Sequence, residues 1–106
     1  MTANPANVPP HKLYKIIKFE LKGAYKIQIT FDDHSIRLID FEPILLGPVY
    51  GPLQDTQLFN QVSIDPVAQT LSWPNGADFD PETLRNWEQY SSHLVSRLKK
   101  LAFAGA

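Results

Sequence analysis

Hydrophobic and polar residues alternate most regularly between Tyr25 and Phe31. Tyr25, Ile27, Ile29 and Phe31 share one parity, and Lys26, Gln28 and Thr30 share the other. A period of two marks a strand with one buried face. The run before it carries the same signal less cleanly: Leu13, Ile17, Phe19 and Leu21 fall on odd positions against Lys18, Glu20 and Lys22, blurred by Ile16. Asp32-Asp33-His34-Ser35 reads as a hairpin turn into a third strand, Ile36 to Phe41. Its inward parity slips between Leu38 and Phe41, which predicts a bulge or strand end near Asp40. Three strands joined by short turns predict an antiparallel meander with one solvated face.

Proline and glycine then interrupt the pattern. Glu42-Pro43-Ile44-Leu45-Leu46 suits a short helix that Gly47-Pro48 stops at once. The stretch Gly47 to Leu53 is too broken for a central strand and predicts an ordered loop over the sheet, anchored by Val49, Tyr50 and Leu53. Asp55 can cap one helical turn through Phe59. Val62 and Ile64, then Leu71 and Trp73, predict a second short hairpin.

A helix follows over about 81–101. Asp80 is its N-cap, Pro81 occupies the first helical position, and Glu82 suits the positive end of the dipole. Phe79 and Leu84 have the spacing of a hydrophobic staple. Beyond it, Leu84, Trp87, Ser91, Leu94, Leu98 and Leu101 form a seam at helical spacing. The fold class predicted is therefore α+β: a three-stranded antiparallel meander and a second hairpin, packed by one long C-terminal helix. Residues 1–11, with Pro5, Pro9 and Pro10 and only Val8 to bury, predict a disordered tail. Residues 12–106 then make a single domain.

Composition narrows the function classes. The chain has 106 residues, enough for one core, with ten Lys and Arg against eleven Asp and Glu. A formal net charge of -1 supplies no field for nucleic acid, and Lys12, Lys15, Lys18, Lys22 and Lys26 read as a solvated outer sheet face. Cysteine is absent, which excludes disulfides, thiolate metal sites and Cys nucleophiles. No stretch approaches a membrane span and no signal-like start is present, so a soluble, cytoplasmic protein is expected.

The strings Gly47-Pro48-Val49-Tyr50-Gly51-Pro52-Leu53-Gln54-Asp55, Leu58-Phe59, Trp73-Pro74-Asn75-Gly76-Ala77-Asp78 and Pro81-Glu82-Thr83-Leu84 resemble the family called domain of unknown function 2442. The first hairpin, Tyr25 to Leu38, fits the opening of its pattern, and the likeness covers about residues 13–90. This resemblance implies a small bacterial α+β domain without an assigned activity, encoded beside a small protein in suspected toxin–antitoxin pairs. Some longer relatives append a helix-turn-helix domain, for which the residues after Asp80 leave no room. At the first hairpin the family has Asp-Gly where this chain has Asp33-His34, and His tolerates the positive φ such a turn requires.

The candidate chemistry is sparse. Trp73, Pro74, Asn75, Gly76, Asp78 and Asp80 form a turn and helix start in which the two Asp carboxylates bond backbone amides. Asp78, Asp80 and Glu82 lack the longer ligand pattern of a calcium loop. His11, His34 and His93 lie in a tail, a turn and a helix, without a second His at ligand spacing. Asp32 and Asp33 face water at a hairpin tip. No catalytic constellation, metal site or cofactor is expected. The surplus lies in the distal helix, where Tyr90, Leu94, Val95, Leu98 and Leu101 extend beyond what a small core needs. The expectation is a non-enzymatic protein-interaction module, antitoxin-like in the sense of the resemblance. It would self-associate through that helix, with an exposed sheet edge as a second contact surface, or hold a small neighbour-encoded protein. The alternative is a small-molecule binding or sensing domain with a pocket near Tyr50 and Trp73.

Overall fold

Ile27, Ile29 and Phe31 are fully buried, and the residues between them face outward, as the alternation requires. In the computed structural model, which describes residues 14–104 with side chains through Lys100, they lie on the middle strand of a meander. The strands are β1 (Ile16–Leu21), β2 (Lys26–Phe31) and β3 (Ile36–Asp40), antiparallel in the order β1-β2-β3. The tail read over residues 1–11 lies outside the described residues, as does Leu13.

Two parities differ from those expected. In β1 the register shifts between Ile16 and Lys18, so Ile17 is the extra residue of a bulge. Ile16 therefore faces the core opposite Phe31, Ile17 is exposed, and Phe19 regains the inward face opposite Ile29, while Leu21, opposite Ile27, stays exposed at the strand end. β3, by contrast, pairs without interruption from Ile36 to Asp40 and ends there, so of the bulge or strand end expected near Asp40 it is the strand end that occurs. Odd positions of β2 pair with odd positions of β3, which sends Ile39 and Phe41 inward and Ile36 and Leu38 outward.

The loop over the sheet consists of single helical turns: a 3-10 turn Glu42–Ile44, α1 (Gly47–Tyr50), a 3-10 turn Gly51–Gln54 and α2 (Thr56–Phe59). Pro at the first or second position starts three of these turns, where its missing N–H costs nothing. Asp55 caps α2 by accepting from Gln57 N at 2.9 Å. Leu53 is fully buried and Tyr50 half-buried, whereas the Val49 side chain is exposed and its carbonyl accepts from Asn75 Nδ2 at 3.1 Å. The second hairpin pairs β4 (Ser63–Ile64) with β5 (Leu71–Ser72), and Ile16 N donates to Gln69 O in it at 3.0 Å.

The predicted single helix is two: α3 (Pro81–Arg85) and α4 (Trp87–Ala104). They part at Asn86, with φ -113° and ψ 42°. The Asn86 side-chain amide donates back to Glu82 O at 3.3 Å, an alternative to the helical ladder that Asn makes readily. Arg37 Nε donates to the Arg85 carbonyl at 3.1 Å, satisfying one carbonyl at the end of α3. The break leaves Leu84 fully buried and sets the Trp87 ring 5.6 Å from that of Phe41.

The core lies between the inward face of the meander and this second layer. Phe41 is its centre, with the rings of Phe59, Trp73, Phe79 and Trp87 around it. α4 rests on α1 and the Glu42–Ile44 turn, so the C-terminal helix packs across the loop layer.

Candidate functional site

The segment Trp73 to Asp80 folds as a scaffold. Trp73 is 4% exposed, and its indole N–H donates to Phe59 O at 2.9 Å. Pro74 is exposed at the turn, Asn75 Oδ1 accepts from Ala77 N at 3.1 Å, and Gly76 takes φ 92°, which only glycine adopts at no cost. Asp80 caps α3 by accepting from Thr83 N at 3.3 Å. Asp78 does not bond an amide at that helix start in the way expected; its carbonyl accepts from Tyr50 Oη at 2.8 Å. The Tyr50 ring stacks on Phe79 at 4.8 Å, and burial pushes its phenol pKa up, so it remains a donor. The Phe79 ring packs against both Tyr50 and Trp73. A cleft of about 750 Å³ is lined among others by Tyr14, Gln69, Thr70, Phe79 and Pro81.

The distal helix places its seam residues against the same chain. Tyr90 is half-buried, with its hydroxyl 3.4 Å from Glu82 Oε2. Leu94 and Val95 pack partly buried on the core, and Leu98 is 7% exposed. Leu101 falls on the last turn of α4, and its side chain lies outside the described residues. The overhang that the seam suggests is folded back as far as Leu98.

At the β3 edge of the meander, no strand lies on the outer side among the described residues. Phe31 N donates to Ser35 O at 2.9 Å and Phe41 N to Tyr25 O at 2.8 Å, so odd residues of β3 bond to β2. By the alternation of an antiparallel ladder, the N–H and C=O of Ile36, Leu38 and Asp40 point away from the sheet. Ile36 is 54% exposed and Leu38 62%, on the outer face beside Thr30 and Gln28. The inward Arg37 curls to the same edge, where one of its terminal nitrogens donates to Ile36 O at 3.0 Å. Sequence reading missed Ile36 and Leu38 as surface residues. The hairpin register would have found them, because inward residues on β2 dictate inward partners on β3.

The hairpin tip beside this edge is electrostatically fixed. Asp33 accepts from the Ser35 hydroxyl and amide and, through its other oxygen, from Arg85 Nε and its neighbouring nitrogen. The Ser35 bonds first, and then Arg85, hold its pKa down to about 2. Hydrogen bonding, without burial, moves this proton, and Asp33 is a fixed anion. His34 completes the tip with φ 71°, the left-handed conformation expected where the family has glycine. A group whose pKa falls on folding contributes stability above its ordinary value and loses it on acidification. For Asp33 that window runs from about pH 4 down to about pH 2. Asp33→Asn is therefore expected to flatten the fall of melting temperature across that window, measured by a pH series of thermal melts against the parent.

No helix among the described residues is long and apolar enough to cross a membrane. No group of three or more His, Cys, Asp or Glu among them is arranged to hold a metal ion. The model of the family described as protein of unknown function, DUF2442, matches residues 16–90, from the start of β1 into α4. The chain belongs to this family. The matched span of this DUF2442 domain takes in the meander, the scaffold turn and α3, and ends before Leu94. No curated protein and no solved structure matches it.

Proposed function

We propose that this DUF2442 domain is a non-enzymatic protein-interaction module whose contact surface is the β3 edge and its outer face. The observation that carries the reading is Leu38, 62% exposed on a strand with no further strand beside it among the described residues. An exposed apolar edge is a template for another strand, and β-strand addition uses it for recognition. The distal helix is the weaker candidate, because Leu98 is spent on the chain's own core. In its most specific form the role is antitoxin-like, restraining a small toxin-like protein encoded alongside.

The test is affinity capture from the native cells with the parent and Leu38→Glu, compared by quantitative mass spectrometry. The parent is expected to retain protein, its own copies included, that Leu38→Glu loses while both melt at the same temperature. Identical retention by the two would remove this surface from the proposal.

A second reading, small-molecule binding or sensing, moves from the Tyr50–Trp73 region to the cleft of about 750 Å³ beside Phe79. Its mixed apolar and acidic lining and its size suit a small ligand. A metabolite that raises the melting temperature of the parent, and not of a variant with Phe79 changed to Leu, would support it.

A further inference from the structure

Five asparagines stand in the chain, and Asn75 alone is followed by glycine. Gly76 has no Cβ to keep its nitrogen from the side-chain amide before it, and both residues are exposed to water on the scaffold turn. That is the setting in which asparagine loses ammonia. The fold, however, commits every reacting group elsewhere. Gly76 N donates to Trp73 O at 3.0 Å, Asn75 Oδ1 accepts from Ala77 N at 3.1 Å, and Asn75 Nδ2 donates to Val49 O at 3.1 Å. The last bond reaches α1, where Tyr50 Oη also donates to Asp78 O and the Tyr50 ring stacks on Phe79. We infer that Asn75 is a spontaneous modification site: it loses its side-chain amide as ammonia when α1 undocks from the turn, and the product keeps α1 from redocking. The inference is independent of the interaction-module reading.

Water is the only co-reactant. The Gly76 nitrogen attacks Asn75 Cγ, a new N–C bond closes a cyclic imide, and the Cγ–Nδ2 bond breaks. Nδ2 leaves as ammonia, taking up through solvent the proton that Gly76 N gives up. Water then opens the imide, its oxygen going to one carbonyl carbon and a proton to the Gly76 nitrogen. Opening at Cγ leaves an aspartate at position 75; opening at the backbone carbonyl routes the chain through Cγ and makes it one carbon longer. Nothing is oxidised or reduced.

The gate follows from the bonds that must open first. The attacking nitrogen must give up the proton it donates to Trp73 O, and Cγ must turn out of an amide plane pinned at both its oxygen and its nitrogen. The nitrogen is freed when Val49 moves off with α1, a local opening that costs less than unfolding. The product then works against closure. Val49 O loses its donor, and in the aspartate form a carboxylate oxygen takes the donor's place against that carbonyl. The longer backbone form also stretches the turn that Gly76 N to Trp73 O and Trp73 N to Ala77 O close.

Peptide mass spectrometry of the full chain, aged at one mildly alkaline pH in buffer and in urea, tests the inference. In urea Asn75 is expected to show the mass of OH in place of NH2 well before Asn60 and Asn86, which precede Gln61 and Trp87. In buffer the same conversion is expected to run on the order of tenfold to hundredfold more slowly, as breaking two or three hydrogen bonds first would require. Tyr50→Phe removes the bond to Asp78 O, and Leu98→Glu loosens α4 from α1. Each is expected to speed conversion in buffer and to leave the rate in urea unchanged. Asn75→Asp, which supplies one product directly, is expected to melt about 4–8 °C below the parent, with faster hydrogen exchange in α1. No conversion in urea, equal rates in urea and buffer, or a slow rate in buffer that neither variant raises overturns the gated site. An Asn75→Asp chain with the melt and the α1 exchange of the parent overturns the effect on redocking.

Discussion

Replacing Phe41 with alanine is expected to cost about 3–5 kcal/mol, a large part of the about 5–15 kcal/mol that holds a domain of this size together. Phe41 has no exposed surface, and its ring centroid lies 5.3 Å from Phe79, 5.6 Å from Trp87, 6.0 Å from Phe59 and 6.1 Å from Trp73. It follows the last residue of β3, so it bolts the meander to the loop layer, the scaffold turn and α4 at once. Truncation opens a cavity whose walls belong to three separate segments, none able to collapse into it without moving the others. With a urea dependence of about 1–3 kcal/mol per molar, the unfolding midpoint falls by about 1 M or more. Trp73 and Trp87 both touch Phe41, so their fluorescence reports the transition directly. Phe41→Leu keeps most of the volume and forfeits the ring contacts, so it is expected to cost less than half as much. Equal losses for the two variants would mean that the ring geometry, and not the filled volume, carries the stability.

What could be read from the residues depended on whether the signal was local. β2 was legible because both its faces differ in polarity, and the Asp80-Pro81-Glu82 start of α3 because a cap and its dipole charges are adjacent in sequence. The turn at Asn75-Gly76 was legible for the same reason. Asp78 was not, since its partner Tyr50 arrives from 28 residues away. The bulge at Ile17 was hidden because Ile16 and Ile17 are both apolar, and only pairing with Phe31 and Thr30 decides which faces in. The break at Asn86 was hidden because the seam from Leu84 to Trp87 keeps helical spacing across it. Of the one-turn helices between Glu42 and Phe59, those at Glu42–Ile44 and Thr56–Phe59 were legible from Pro43 and the Asp55 cap, while those over Gly47–Gln54, too short to have a period, were read as a loop. An open sheet edge is the least legible feature of all, because no residue records which neighbour a strand lacks; Leu38 acquires its meaning only from the strand order.

The same contrast between seam and surroundings makes Leu98→Glu the second large expected effect. By spacing alone Leu98 belongs to a helix overhang free to bind another chain. In the fold it is 7% exposed, and its Cδ2 reaches to within 3.9 Å of where a side chain on Gly47 would begin. Removing a buried leucine costs about 2–5 kcal/mol, and a carboxylate there must be dehydrated in addition. The chain has a cheaper escape: the distal half of α4 can undock from α1 and the Glu42–Ile44 turn while the meander stays intact. The loss is therefore expected to stop at the free energy of that undocking. Hydrogen exchange should show it, with protection lost over the distal turns of α4 and retained in β2. Leu94→Glu, at a half-buried position, is expected to do the same more weakly, and Arg97→Glu, fully on the solvent side, to change stability by less than about 0.5 kcal/mol. If Leu98→Glu instead leaves exchange and melting unchanged and converts a dimer to a monomer, the helix seam is the contact between copies, and β3 loses its claim to that role.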